Sequence, residues 1–118
     1  MNHEPILRLL GLAKKAGRLE IGEEPVGAAA RARKARLILL AADAAPNTCR
    51  RAAHFGQAGQ VLQLKLPATK EELGLALGRN SCAMLALTDK GFAASLAGKL
   101  AQVDPQYIPA AQQLRQKR

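Results

Sequence analysis

The sequence predicts an α/β sandwich, a domain in which helices cover a largely parallel or mixed β-sheet. Apolar runs of strand length alternate along the chain with segments that have helical periodicity. Two of these runs, 37–42 and 83–87, are apolar at every position, which is typical of strands covered on both faces. A length of 118 residues fits one domain with a substantial hydrophobic core.

The first half of the chain contains two predicted helices and two predicted strands. Apolar residues recur at helical spacing over 5–16, and a short strand with alternating polarity follows over 18–21. Gly22 then opens a second helix. This helix leads into the central strand, 37–42, which ends at a polar turn around Asp43.

The second half continues the same alternation. Thr69 and Glu72 form a T-x-x-E capping box, and Asp89 is a candidate N-cap for the last helix. The predicted elements are a helix over 47–57, a strand over 61–66, a helix that starts after Thr69 and ends at Gly78, a strand over 83–87 and a helix over 90–101.

The periodic pattern stops after Val103. Pro105 and Pro109 interrupt a glutamine-rich, basic end, for which disorder and a short docked helix both remain open. We therefore predict a single domain over 1–101 and a basic C-terminal tail over 102–118.

Positive charge is the strongest compositional signal. The net charge is +9 and the isoelectric point is about 10.3, which indicates a polyanionic partner such as nucleic acid or an anionic membrane surface. The cations are spread along the chain, which favours a basic face of a folded domain over a disordered arm. They include Lys14, Lys15, Arg18, Arg31, Arg33, Lys34, Arg36, Arg50, Arg51, Arg115, Lys117 and Arg118.

Several classes of function fit poorly. The three aromatic residues are too few for a base-stacking platform. No apolar run approaches the roughly 18 residues that span a bilayer. Contact of the first helix with an anionic membrane surface is a weaker alternative, because the leucine stripe of this helix is explained more simply by the core, so we expect no membrane contact. The N-terminus does not resemble a signal peptide, and the two cysteines indicate reduced thiols, so a cytoplasmic location is expected.

The sequence also lacks the residue patterns of an enzyme. It contains no nucleophile with a base at recognisable spacing, no set of metal ligands and no glycine-rich phosphate loop. His54 falls in an amphipathic helix, while Asp43 and Asp89 are explained by helix capping. We therefore predict that the protein is not an enzyme and has no catalytic residue, metal or cofactor.

Two acidic residues at the start of the second helix constrain any contact with RNA. Glu23 and Glu24 suit the positive end of the helix dipole, and they repel phosphate from a site that would otherwise attract it. Carboxylates can accept hydrogen bonds from donors on base edges. If this end of the helix meets nucleic acid, we expect contacts with bases.

Four segments together resemble a known family. They are LLGLAKKAGRLEIGEE at 9–24, KARLILLAADAAPNT at 34–48, KEELGLALGRN at 70–80 and ALTDKGFAASL at 86–96. Their order and spacing are similar to the YlxQ-like bacterial branch of the kink-turn-binding ribosomal protein superfamily, over about residues 4–100. The resemblance implies a three-layer α/β/α sandwich around a mixed sheet of about four strands.

In RNA-binding members of this family, three neighbouring loops hold the sheared G·A pairs of a sharply bent RNA. The resemblance implies that the first loop here contains Gly22, Glu23 and Glu24, preceded by a phosphate-contacting cation at Arg18. It places the second loop at Ala42 and Asp43, and the third at Arg79, Asn80, Ser81 and Cys82.

This chain departs from the family pattern in the first two loops. Glu24 stands where strong kink-turn binders have asparagine, Pro25 where they have glutamate, and Ala28 where they have lysine. Ala42 replaces a glutamate in the second loop.

Two hypotheses follow. In the first, a monomer binds structured RNA, such as a kink-turn or ribosomal RNA, through these loops and a basic face that contains Arg18, Arg31, Arg33, Lys34 and Arg79. In the second, the same fold is a protein-interaction module that has lost high-affinity kink-turn binding, with the ribosome or another protein as its partner.

Overall fold

The computed structural model of the protein describes residues 3–116 and contains a four-stranded sheet. The strands are β1 (Leu19–Ile21), β2 (Leu37–Leu40), β3 (Gln63–Lys65) and β4 (Met84–Leu87). The helices are α1 (Glu4–Lys15), α2 (Glu23–Arg31), α3 (Pro46–Gly59), α4 (Lys70–Leu77), α5 (Lys90–Val103) and α6 (Ile108–Gln116). None of the helices in this part of the chain is long and apolar enough to cross a membrane.

The sheet is mixed, with the strand order β1-β4-β2-β3. Strand β4 is antiparallel to both β1 and β2, whereas β2 and β3 are parallel. Two of the three neighbouring pairs are therefore antiparallel, so the mixed alternative is correct and the largely parallel one is wrong. The antiparallel pairing brings the carboxyl ends of β1 and β2 to the amino end of β4.

The apolar strands β2 and β4 separate two layers of core. Leu37 and Leu39 face a cluster shared with α1, α4 and α5, whereas Ile38 and Leu40 face a second cluster shared with α2 and α3. Every residue of β2 and β4 is buried. This arrangement explains the continuous apolar runs, because successive side chains enter opposite helix layers. The fold is thus a three-layer α/β/α sandwich.

Several strands are shorter than predicted because their apolar runs continue beyond the last residue that pairs with a neighbouring strand. The strand predicted over 37–42 ends at Leu40. Beyond it, the Ala41 N–H donates to the carbonyl of Ala83 and the Ala42 N–H to the carbonyl of Ala68, as the chain turns away. Ala41 stays fully buried, so hydrophobicity alone does not mark the end of the strand.

The predicted caps of α4 and α5 are confirmed. Thr69 Oγ1 accepts from the Glu72 N–H, and Glu72 Oε1 accepts from the Thr69 N–H. The hydrogen bond from Thr69 also holds the pKa of Glu72 below its usual value. At α5, Asp89 Oδ2 accepts from the Phe92 N–H at 3.0 Å.

The chain after Val103 forms a docked helix, one of the two alternatives left open by the sequence. A short 3-10 turn over Pro105–Tyr107 precedes α6, and α6 packs against α5. Tyr107 is buried in the core, and its hydroxyl donates to the carbonyl of Lys65. Lys117 and Arg118 lie outside the described residues, and the division of the chain at residue 101 stays a prediction.

Candidate nucleic-acid interface

Parts of the three predicted loops meet at one edge of the sheet. The Gly22 N–H donates to the carbonyl of Met84 at 2.9 Å, and the Ala41 N–H donates to the carbonyl of Ala83 at 3.0 Å. These bonds join the ends of β1 and β2 to the start of β4. We call this surface the loop edge and define it as residues 22–24, 42–43 and 80–82.

Glycine at position 22 is required by the turn from β1 into α2. Its φ of 103° and ψ of 161° lie in a region that only glycine adopts readily. The turn places Glu23 and Glu24 in the first turn of α2 at the loop edge. Glu23 pairs with Arg51 of α3 at 2.8 Å. Glu24 is exposed and has no hydrogen bond or ion pair to any residue that the structure describes.

Asp43 fixes the position of the second loop. Its Oδ1 accepts from the backbone N–H of Lys70 at 2.8 Å. The carboxylate thus gives a hydrogen-bond partner to an N–H in the first turn of α4 that has none within the helix. The sequence predicted that Asp43 caps the helix that follows the central strand. This part of the prediction is wrong, because the N-cap of α3 is Ala45. Asp43 instead links the end of β2 to α4, while remaining exposed.

The third loop is held against α4 by close backbone contacts. The Arg79 N–H donates to the carbonyl of Gly74 at 2.7 Å, and the Cys82 N–H donates to the carbonyl of Lys70 at 3.0 Å. The loop therefore returns along the helix, so that Arg79 lies about one helical turn further from the loop edge than Cys82. Asn80 and Ser81 are exposed between them.

Cys82 contributes only its backbone to this surface. Its side chain is 4 % exposed, and its thiol donates weakly to the carbonyl of Met84. Burial raises the pKa of the Cys82 thiol above its usual value. The side chain thus belongs to the core, although the sequence assigned it to the candidate site.

Other predicted site residues lie at the opposite edge of the sheet. The carbonyl of Arg18 accepts from the Thr88 N–H, and the Arg36 N–H donates to the carbonyl of Leu87. These bonds join the start of β1, the end of β4 and the segment that enters β2. We call this surface the basic edge and define it as Arg18, Arg33, Lys34, Arg36 and Lys90.

Arg31 lies between the two edges. It ends α2, and together with Phe55 of α3 it lines a shallow pocket that also includes Glu23 and Glu24. The structure therefore does not bring Arg18, Arg31, Arg33 and Lys34 together with the three loops as one continuous group.

Charge is divided between the two edges. The first turns of α2 and α4, together with Asp43, place five of the nine carboxylates of the chain at or beside the loop edge: Glu23, Glu24, Asp43, Glu71 and Glu72. The basic edge carries five cations, with Asp89 beside it acting as the cap of α5. The basic edge therefore has an excess of positive charge, which attracts a polyanion.

Two cations beside the loop edge were not predicted as site residues. Arg51 pairs with Glu23, and Arg50 donates to Asn47 in the first turn of α3. The sequence contained a signal for their position, because Pro46 suits the first turn of a helix that starts just after the loop at 42–43.

A groove of about 900 Å³ lies elsewhere on the surface. It runs between α1 and α4, where Leu12 and Leu75 are exposed. At one end, Lys14 Nζ donates to the carbonyl of Leu77 at 2.6 Å and so ties the two helices together. Within residues 3–116, no group of three or more histidine, cysteine, aspartate or glutamate side chains is arranged to hold a metal ion.

The chain is similar to several known proteins in sequence and in fold. The model of the ribosomal protein L7Ae/L30e/S12e/Gadd45 family matches residues 4–97. The RNA-binding protein YlxQ of Bacillus subtilis (strain 168) is 35 % identical over 92 residues, which cover 75 % of this chain and 87 % of that protein.

Two solved structures have a similar fold. A protein with unknown function from Bacillus halodurans C superposes with a TM-score of 0.72 at 30 % identity, over 79 % of this chain and 93 % of its own. The Giardia lamblia 15.5kD RNA binding protein superposes with a TM-score of 0.63, over 81 % and 84 % of the two chains. At 19 % identity, the second likeness shows the fold alone.

Proposed function

The chain belongs to the ribosomal protein L7Ae/L30e/S12e/Gadd45 family, and from this membership we propose that it is a non-enzymatic protein that binds structured RNA at its loop edge. The target we propose is a kink-turn or a similarly bent segment, within ribosomal RNA or another structured RNA. We further propose that the protein acts as a cytoplasmic monomer.

The observation that carries this proposal is the meeting of parts of three separate loops at one edge of the sheet. The Gly22 N–H bonds to Met84 at the start of β4, the Ala41 N–H bonds to Ala83 just before it, and Asp43 bonds to the start of α4. Backbone hydrogen bonds and a buried core thus hold the loop edge before any RNA arrives. A preformed surface loses little conformational entropy on binding.

The chemistry of the loop edge favours bases over phosphates. Glu24 is an exposed acceptor, and Asn80 and Ser81 supply exposed polar groups across the surface. Guanine presents amino and imino donors that a carboxylate can accept from. Since the described chain has so few aromatic residues, recognition would use base edges and backbone shape in place of stacking.

Binding to two matched RNAs tests this proposal. One is a labelled kink-turn hairpin, and the other is the same hairpin with its G·A pairs replaced by Watson–Crick pairs. We expect tighter binding to the intact kink-turn, by roughly tenfold or more, because a lost pair of base contacts typically costs about 1–3 kcal/mol. Fluorescence anisotropy from about 50 to 300 mM KCl separates this preference from general attraction to phosphate.

Equal affinity for both hairpins at every salt concentration would contradict recognition of the bend. If that common affinity also collapses with salt, the protein is a basic RNA binder without this specificity. Absence of binding to either hairpin at low salt would reject RNA binding at the loop edge.

The protein-interaction hypothesis remains the second candidate. The observation that favours it is that Pro25, Ala28 and Ala42 stand where strong kink-turn binders of the family have charged residues. A protein partner that stays associated after nuclease treatment and in high salt would support it, since an RNA-mediated complex dissociates under both conditions.

A further inference from the structure

The basic edge contains a small pocket that is lined in part by cations. It has a volume of about 230 Å³, and its lining includes Arg33, Arg36 and Lys90 together with Gln60 and Gln113. The pocket lies where the ends of α2, α3 and α6 approach the start of α5. Three cations therefore lie around one small cavity, whose lining also includes apolar side chains such as those of Val61 and Leu62.

Two residues of this pocket hold an unusual backbone conformation. Arg33 has a φ of 61° and Gln60 a φ of 56°, and they are the two non-glycine residues with positive φ in the described part of the chain. Arg33 Nη1 donates to Gln60 Oε1 at 3.3 Å. Glycine adopts this conformation without steric cost, whereas the side chains of arginine and glutamine make it less favourable.

The cations of the basic edge are not neutralised by acidic neighbours. Ion pairs within residues 3–116 join Arg8 to Glu4 and Arg51 to Glu23, and neither pair lies at this edge. Asp89 is the neighbouring carboxylate, and it accepts from the Phe92 N–H as a helix cap. The five cations of the basic edge are exposed. Such a surface suits a chain of phosphates.

From this geometry we propose that the basic edge binds the phosphate backbone of a second RNA segment, while the loop edge holds the first. The two edges lie at opposite ends of the strands in a molecule of 33 × 32 × 28 Å. One protein molecule would thereby bridge two segments of a folded RNA or two RNA molecules. This inference rests on the proposed function, but it makes a separate prediction about salt dependence.

The test compares two double variants that each remove two positive charges. The first, Arg33→Gly with Arg36→Gln, alters the basic edge, and its glycine suits the left-handed backbone at position 33, so we expect no fall in Tm. The matched control, Arg8→Gln with Lys99→Gln, removes exposed charges from α1 and α5. The probe is a plain RNA hairpin duplex without an internal loop.

We expect the basic-edge variant to bind the plain duplex roughly tenfold more weakly than the wild type at about 0.1 M KCl. The plot of log affinity against log salt has a negative slope, and its magnitude should decrease by about 1.5 to 2, since each lost phosphate contact contributes roughly 0.9. The control variant should change the slope by less than half as much. Equal slopes for the two variants would overturn the proposal.

A capture experiment tests the bridge itself. Kink-turn RNA is immobilised and loaded with protein, and a labelled plain duplex is then added. Wild-type protein and the control variant should retain the duplex, whereas the basic-edge variant should not. Failure of the wild type to retain it would reject bridging.

The readouts separate this inference from the proposed function. The preference for the intact kink-turn reports on the loop edge, and the salt slope for the plain duplex reports on the basic edge. If loss of the two arginines weakens binding to phosphatidylserine vesicles but leaves the RNA slope unchanged, the edge serves a membrane and the proposal is wrong.

Discussion

Replacing Gly74 with alanine is expected to lower the free energy of unfolding by about 1 to 3 kcal/mol, although alanine normally stabilises a helix by about 1 kcal/mol relative to glycine. A Cβ atom at this position would lie 2.7 Å from the Cα of Ser81 and 2.9 Å from the carbonyl oxygen of Arg79. Both contacts are with backbone, so the whole 79–82 loop would have to move.

Gly98 and Gly11 are matched controls for this substitution. Each lies within a helix, and a Cβ atom at either position has no heavy atom within 4 Å apart from its chain neighbours and the nearby backbone of its own helix. Gly98→Ala should therefore raise stability by about 0.5–1 kcal/mol, in the opposite direction to Gly74→Ala. Urea unfolding measured by circular dichroism provides the comparison. A Gly74→Ala variant as stable as Gly98→Ala would contradict the close packing of the loop on α4.

Replacing Glu24 with glutamine is expected to weaken binding to the intact kink-turn hairpin by roughly tenfold. A glutamine keeps the size of the side chain and one acceptor oxygen, but an amide donor replaces the second acceptor that a contact with both the amino and the imino group of guanine needs. Removal of a negative charge near RNA would by itself strengthen binding. A loss of affinity in this variant could therefore not result from the change in charge, and it would indicate that a contact with the RNA has been lost.

Glu71 provides the control for charge. It is an exposed carboxylate in the first turn of α4, beside the same edge. Glu71→Gln should leave affinity unchanged or raise it slightly. If Glu24→Gln raises affinity to the same extent as Glu71→Gln, then Glu24 makes no contact with a base, and recognition must depend on other groups.

Local features of the sequence were sufficient to predict most helices and the two-sided burial of the central strands. The six-residue apolar run at 37–42 indicated a strand covered on both faces, and β2 does alternate between two core clusters. The capping box at Thr69 and Glu72 marked the start of α4. These features depend on residues close in sequence, so they can be recognised without the tertiary structure.

The division of charge could not be predicted in this way, because it depends on strand direction. Arg18 is four residues before Gly22, yet β1 separates them to opposite edges of the sheet. Arg51 and Glu23 are 28 positions apart and form an ion pair. Sequence position therefore does not show which of the cations lie beside the loops.

The role of Gly74 was likewise invisible in the sequence. Gly11, Gly74 and Gly98 all interrupt helical segments in similar fashion, but only Gly74 of these three is close to the backbone of another segment. The difference arises from the return of the 79–82 loop along α4. Such an approach between two segments is a property of tertiary packing and leaves no distinct local pattern.

The most direct test of the central claim is an amide chemical-shift map of the protein with kink-turn RNA. The spectra are recorded at about 0.2 M KCl, where phosphate contacts at the basic edge are weakened. We expect the largest changes at residues 22–24, 42–43 and 80–82. Changes confined to Arg33, Arg36 and Lys90, or to the groove between α1 and α4, with the loop edge unaffected, would contradict it.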